Sequence, residues 1–180
     1  MTRLWTGKGD DGTTGLLYGG RVAKSSPPIE AVGAVDEAQA AIGVARAQVA
    51  GGSELDRILV SVERDLWVLM AELATGPEQR HKLTSDATLV SAGMVGAVER
   101  TIEDIGGRFE LPAEFVVPGQ DPTSAQLDLA RTIVRRAERA AAPVLPEGSS
   151  ALPYLNRLSS LLWTLARWVE DEPLPTRTPG

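Results

Sequence analysis

The sequence predicts an all-α protein, a five-helix bundle preceded by a glycine-rich N-terminal loop. Three observations carry that prediction. Five stretches space their apolar residues three and four apart, as one buried helix face requires. Aromatic residues make up only 4% of the chain while alanine and leucine abound, which favours helix over strand. No segment sustains the apolar–polar alternation of a half-buried strand.

The first stretch, about 30–50, repeats Val35, Ile42 and Val49 at seven-residue spacing. The second, about 54–75, carries Leu55, Ile58, Leu59, Val62, Leu66, Leu69 and Leu73, with Ser53 placed to cap it. The third, about 86–105, runs from Leu89 and Val90 through Met94, Val98 and Ile105 to a stop at Gly106-Gly107. The fourth opens on Asp121-Pro122, an N-cap followed by proline at the first helical position. It continues through Leu127, Ala130, Val134 and Ala137 to about residue 142. The fifth, about 150–170, carries Leu158, Leu161, Leu162, Leu165 and Trp168. Residues 1–171 read as one helical domain, and 172–180, with three prolines, as a flexible tail.

Composition excludes several functions. At 180 residues the chain can bury a sizeable core. Without cysteine there is no disulfide, thiolate metal site or thiol nucleophile. With His81 as its one histidine it has no multi-histidine metal centre, and that residue reads as a solvated loop position. The net charge of −6 offers no basic field for nucleic acid or anionic lipid. No apolar run reaches the ~18 residues of a membrane span and no signal-like segment opens the chain, so a cytoplasmic protein is expected.

Two local features stand out. Residues 1–29 hold glycines at 7, 9, 12, 15, 19 and 20 and no helical period. Gly7, Gly9 and Gly12 satisfy G-x-G-x-x-G, but no strand precedes them and no βαβ unit follows, so the dinucleotide reading fails. No G-K-[ST] occurs either, which excludes a P-loop. What remains is a loop whose backbone N–H groups can approach an anion, with hydroxyls at Thr6, Thr13 and Thr14 and charge at Lys8, Arg21 and Lys24. Asp10 and Asp11 would oppose an anion unless they bind sugar hydroxyls, a cation or their own backbone. A disordered arm is the plainer alternative.

The second feature lies on the fourth helix. Arg131, Arg135, Glu138 and Arg139 fall at i, i+4, i+7 and i+8, on one face, while Arg136 points about 100° away. They form either an exposed row of ion pairs or an anion pocket. Asp36 and Glu37 of the first helix are natural partners for one of these arginines. Asn156 and Arg157 interrupt the apolar stripe of the fifth helix and are either solvated or part of the same pocket.

Together the motifs resemble the PduO-type ATP:corrinoid adenosyltransferases. The resemblance rests on Thr6-Gly7-Lys8-Gly9-Asp10-Asp11-Gly12-Thr13-Thr14, on Arg21-Val22-Ala23-Lys24 and on the segment from Glu30 to Glu37. It extends to Phe115-Val116-Val117-Pro118-Gly119, Ala130-Arg131, Arg135-Arg136-Ala137-Glu138-Arg139 and Tyr154-Leu155-Asn156-Arg157-Leu158-Ser159. These occur in the family's order over residues 2–167. The chain departs from the family's usual residues at Pro28, Val32, Gln120, Asp128 and Ser160.

The resemblance implies a ferritin-like five-helix bundle that assembles as a homotrimer, with ATP at each subunit interface. The implied reaction is attack of a cobalt(I) corrinoid on C5′ of ATP, giving adenosylcobalamin and tripolyphosphate. Thr6, Gly7, Lys8, Gly9, Asp10, Lys24, Arg135, Glu138, Arg139 and Asn156 would contact ATP or its Mg²⁺. Thr13 and Thr14 join them as loop hydroxyls. Arg135 would stabilise transition-state charge, and Asp36 and Arg131 would pair across the interface. Phe115 would lie beneath the corrin ring and exclude the lower axial ligand, although from its sequence context alone it reads as a core aromatic. A flavin-type reductase and an adenosylcobalamin-dependent acceptor enzyme are the implied partners. The alternatives are a non-catalytic ATP- or adenosylcobalamin-binding carrier or regulator, and a structural helical protein.

Overall fold

The computed structural model describes residues 5–170 and 172–177. Five α-helices dominate them: α1 (Pro27–Arg46), α2 (Glu54–Leu73), α3 (Ala92–Gly106), α4 (Pro122–Ala141) and α5 (Ala151–Trp168). Across the molecule the helices lie in the order α2, α1, α4, α5, α3, with α2 only lightly touching α5. None is long and apolar enough to cross a membrane.

Side-chain size sets this arrangement. The inner face of α1 is mostly small (Ala31, Ala34, Val35, Ala38, Ala45), and α4 answers with Ala130, Val134, Ala137 and Ala141, all buried. Small facing residues let two helices approach closely, and this is the most extensive helix contact. By contrast α5 buries Tyr154, Leu155, Leu158, Leu161, Leu162 and Leu165, and is enclosed on most sides. The caps read from sequence are formed. Ser53 Oγ accepts from the Asp56 amide at 3.1 Å, and Asp121 Oδ1 from the Thr123 and Ser124 amides at 2.8 and 3.0 Å.

The structure departs from expectation in four places. The glycine-rich segment contains an antiparallel hairpin, β1 (Thr13–Gly15) and β2 (Arg21–Ala23), where only a loop was expected. Its three-residue strands are too short to show alternation, and the reversal uses Gly19 and Gly20 at φ 100° and 87°. Helix α3 begins at Ala92 rather than near residue 86. There Thr84 and Thr88 close a turn on each other, Asp86 sits at φ 63°, and Ser91 caps the helix by accepting from the Met94 amide.

The first helix stops at Arg46, before Val49. The tail is pinned where it was expected to be flexible: the Val117 amide donates to the Leu174 carbonyl, and the Thr176 amide to that of Phe115, both at 2.8 Å. Of the expected tail, residues 178–180 lie outside the described residues, as does residue 171. His81 is exposed, on a 3₁₀ turn, Pro77–Lys82.

Glu72 ties the end of α2 to the connections around it. Its side chain is fully buried and accepts from Arg80 Nη2 at 2.8 Å, the Val90 amide at 3.0 Å and Ser149 Oγ at 2.8 Å. Removing that carboxylate leaves three donors unsatisfied. Glu72→Ala should cost about 3 kcal/mol in urea unfolding, and Glu72→Gln less.

Candidate functional site

Two backbone turns shape the glycine loop, one closed by the Asp10 amide on the Gly7 carbonyl and one by the Gly12 amide on the Gly9 carbonyl, each at 3.2 Å. Gly7 and Gly12 hold φ near 69° and 76°, which suits glycine. Gly9 is constrained by space. A Cβ there would lie 3.0 Å from Lys24 Nζ and 3.2 Å from the Thr13 carbonyl oxygen, so the glycine lets the ammonium rest against the backbone.

Asp11 and Arg21 build the loop. Asp11 Oδ1 accepts from the Thr13 amide at 2.9 Å and from the Thr13 hydroxyl at 2.8 Å. Arg21 Nε donates to Thr13 Oγ1 at 3.0 Å, its Nη2 reaches the Lys8 carbonyl, and the guanidinium lies 3.5 Å from Asp11. Asp11 therefore binds the loop's own backbone, with Arg21 beside it to offset its charge. Both donors of Thr13, expected to face a ligand, are committed inside the loop, and Arg21, expected to supply charge to one, is a brace. Thr6 Oγ1 accepts the Lys8 amide at 3.4 Å. The Lys8 and Lys24 ammonium groups have no acidic partner, and the Asp10 carboxylate and Thr14 hydroxyl have no hydrogen-bond partner among the described residues.

On α4 the arginines separate as their spacing predicts. Arg136 turns to α1 and pairs with Glu37. Arg131 is half-buried, and its Nε donates to Asp128 Oδ1 at 3.0 Å. Arg139 donates to the Arg135 carbonyl at 3.0 Å, and neither Arg135 nor Arg139 meets a carboxylate among the described residues. Asn156 completes this face: its Nδ2 donates to Glu138 Oε1 at 3.0 Å and its Oδ1 accepts from Arg157 Nη1 at 2.8 Å. Arg157 in turn holds Glu99 of α3 at 2.8 Å.

Between α3, α4 and α5 lies a groove of about 550 Å³, lined by Arg131, Arg135, Ser159, Ser160 and Trp163 among others. No residue of the glycine loop lines it. The hairpin instead docks on the other end of the helices. There the Leu17 amide donates to the Ala74 carbonyl at 2.9 Å, and Leu16 and Val22 share a cavity with Leu73, Val144 and Leu145. Neither cavity is lined by both the glycine loop and the arginines of α4. Asp36 is exposed and without a partner among the described residues, well placed for a contact outside its own chain.

Phe115 is not a core aromatic: it is 87% exposed, on the segment linking α3 to α4 that the tail pins. Exposed Val117 and Leu174 lie beside it. Sequence reasoning missed a buried pair next to the groove, Asp128 and Arg167, whose contact is 2.7 Å. The signal for it was an arginine two residues after Leu165, in the apolar second half of α5. Among the described residues, no three His, Asp or Glu side chains converge to hold a metal ion.

Comparison with known proteins gives a consistent result. The cobalamin adenosyltransferase family model matches residues 4–169. A corrinoid adenosyltransferase of Mycobacterium bovis is 40% identical over 172 residues, covering 93% of this chain and 88% of that one. One from Citrobacter freundii is 37% identical over 176 residues, covering 96% and 98%. In fold, the chain resembles a variant PduO-type ATP:corrinoid adenosyltransferase from Lactobacillus reuteri, solved with cobalamin and ATP. The TM-score is 0.86 at 24% identity, with 97% of each chain covered.

The loop brace makes a pH prediction. The Thr13 amide, then the Thr13 hydroxyl, with the charge of Arg21 behind them, hold the Asp11 carboxyl below its ordinary value. A depressed carboxyl contributes order above the unfolded value, and that order is lost as pH falls through the folded one. Hydrogen exchange at the Thr13 amide should stay protected through about pH 4, the ordinary aspartate range, and open only below it. In Asp11→Asn the protection should be weaker and lack that acid limb.

Proposed function

The chain belongs to the cobalamin adenosyltransferase family. From that membership we propose that it transfers the 5′-deoxyadenosyl group of ATP to the cobalt of a reduced corrinoid, giving adenosylcobalamin and tripolyphosphate. The cobalt's electron pair forms the Co–C5′ bond, and the C5′–O5′ bond breaks with its electrons leaving on the triphosphate. The nucleophile belongs to the substrate, so the protein needs no general base. Its task is to hold two substrates in line and to stabilise a polyanionic leaving group.

One observation carries this reading: the cations gathered on the glycine loop and on one face of α4, Lys8, Lys24, Arg135 and Arg139, have no acidic partner among the described residues of a chain with net charge −6. Cations left unpaired in an acidic protein suit a polyanionic ligand. Thr6, Gly7, Lys8, Gly9, Asp10, Thr14 and Lys24 form the loop side of the triphosphate site. Arg135, Arg139, Glu138 and Asn156 form the helix side, and Arg135 stabilises the charge that develops on the leaving oxygen. Mg²⁺ fits this donor set as a passenger of the triphosphate, because Glu138 Oε2 has no hydrogen bond among the described residues and Mg²⁺ takes one or two carboxylates beside phosphate oxygens. When bound it neutralises phosphate charge.

The two halves come from different copies of the chain, which we read as one five-helix bundle assembled into a homotrimer. The groove, which no glycine-loop residue lines, supports this, as do Asp36 and the Nη atoms of Arg131, which have no partner among the described residues and would close on each other across the interface. The exposed Phe115 supports a place beneath the corrin ring, where it excludes the lower axial ligand and eases reduction to cobalt(I). A flavin-type reductase then acts before this enzyme and an adenosylcobalamin-dependent enzyme after it, in the cytoplasm.

Purified protein with ATP, Mg²⁺ and reduced corrinoid should show the spectral change of Co–C bond formation. Binding of ATP and corrinoid without that change would contradict the enzymatic reading in favour of a carrier. Arg135→Ala should lower kcat about 100-fold or more while weakening corrinoid binding little. Phe115→Ala should slow adenosylation starting from cobalt(II) more than from pre-reduced cobalt(I). Equal losses would reduce Phe115 to a packing residue.

A further inference from the structure

The face of α4 that carries Arg131 also carries Ser124 and Asp128, at i, i+4 and i+7. Opposite it, the last turn of α5 supplies Arg167, only 2% exposed, and Glu170 follows just beyond the helix. Arg167 Nη2 donates to Asp128 Oδ2 at 2.7 Å, to Glu170 Oε1 at 2.9 Å and to Ser124 Oγ at 3.2 Å. Its guanidinium lies over the Trp163 ring, 5.9 Å from the centroid. Two arginines and two carboxylates make the cluster neutral, a condition for burying it.

The carboxylates are not equivalent. Glu170 keeps Oε2 buried without a hydrogen-bond partner. Asp128 has both oxygens engaged, Oδ2 by Arg167 and Oδ1 by Arg131 Nε. It is a bridge between a fixed buried arginine and one that lines the groove. Holding Arg131 through Nε fixes the plane of its guanidinium and leaves the Nη edge free, the edge used for fork-like pairing with a carboxylate.

We infer that Asp128, anchored by Arg167, is the positioning residue for Arg131 in this enzyme. The inference rests on the adenosyltransferase reading, because it is turnover that the orientation of Arg131 governs. Asp128 touches no substrate and acts by presenting that guanidinium to the interface.

Removing Arg167 would bury two uncompensated carboxylates and threaten folding, so the test uses Asp128→Asn. An asparagine presents one acceptor and one donor at these positions. The acceptor stays on buried Arg167, where losing it costs more, and the amide nitrogen then faces Arg131 and releases it. Adenosylation kinetics and melting temperature would be measured for wild type, Asp128→Asn, Arg131→Lys and the double variant. The expected result is a fall in kcat of about tenfold for Asp128→Asn, with little change in KM for ATP and a Tm lowered by roughly a few degrees, because the buried cluster loses its neutrality. In the Arg131→Lys background the same change should alter kcat less than about twofold. Losses that multiply in the double variant, or a lowered Tm with kcat unchanged, would overturn the positioning role alone. An inactive wild-type protein would overturn the functional reading and this inference with it.

Discussion

Unpaired positive charge is the constraint around which this molecule is organised. The chain carries more acid than base, and most of its described arginines pair within the fold. Arg46 takes Asp56 and Glu63, Arg80 takes Glu72, Arg108 takes Glu54 and Asp104, and Arg157 takes Glu99. Arg135, Arg139, Lys8 and Lys24 do not, and nor do Arg57, Arg64, Arg100, Arg177 and Lys82, but only the first four lie on the glycine loop and the arginine face of α4. Leaving cations without partners keeps them available to a polyanion, and the local structure works to hold them so. Gly9 leaves room for Lys24, Arg21 braces the loop in place of binding, and Glu138 is oriented by Asn156.

The scaffold follows from the same division of labour. Alanine faces bring α1 and α4 together, and with α5 packed on its other side α4 keeps a strip of surface for charged residues. Enclosed α5 provides the fixed partners, Asn156 for Glu138 and Arg167 for Asp128. The site side chains therefore project from helices whose own positions are set by packing, and only the glycine loop and the Phe115 segment depend on turns. Those two segments are tied down by backbone hydrogen bonds, one at Ala74 and the other at residues 174–176.

Local features were the ones legible in the sequence. The stripes on α2 and α4, the caps at Ser53 and Asp121, and the divergence of Arg136 from Arg135 all depend on residues within a turn or two of each other. The hairpin was hidden because three-residue strands have no measurable period, and the start of α3 because Leu89 and Val90 continue its stripe through a turn. Arg167 was hidden for another reason. A charge in an apolar helix declares that a partner exists, but only the packing of α4 against α5 reveals that it is Asp128. The exposure of Phe115 was equally out of reach, since the burial of an aromatic in a connecting segment depends on how that segment packs.

That the site is shared between copies is the central claim, and complementation tests it most directly. A Lys24→Ala chain lacks the loop cation and an Arg135→Ala chain the helix cation, so each should be inactive alone. Co-assembled in equal amounts, trimers would contain intact loop–helix interfaces at roughly a quarter of all positions, and turnover should recover to about that fraction. A mixed assembly as inactive as its parts would contradict the account, because it would mean that the loop and the arginine helix serve a site within one chain.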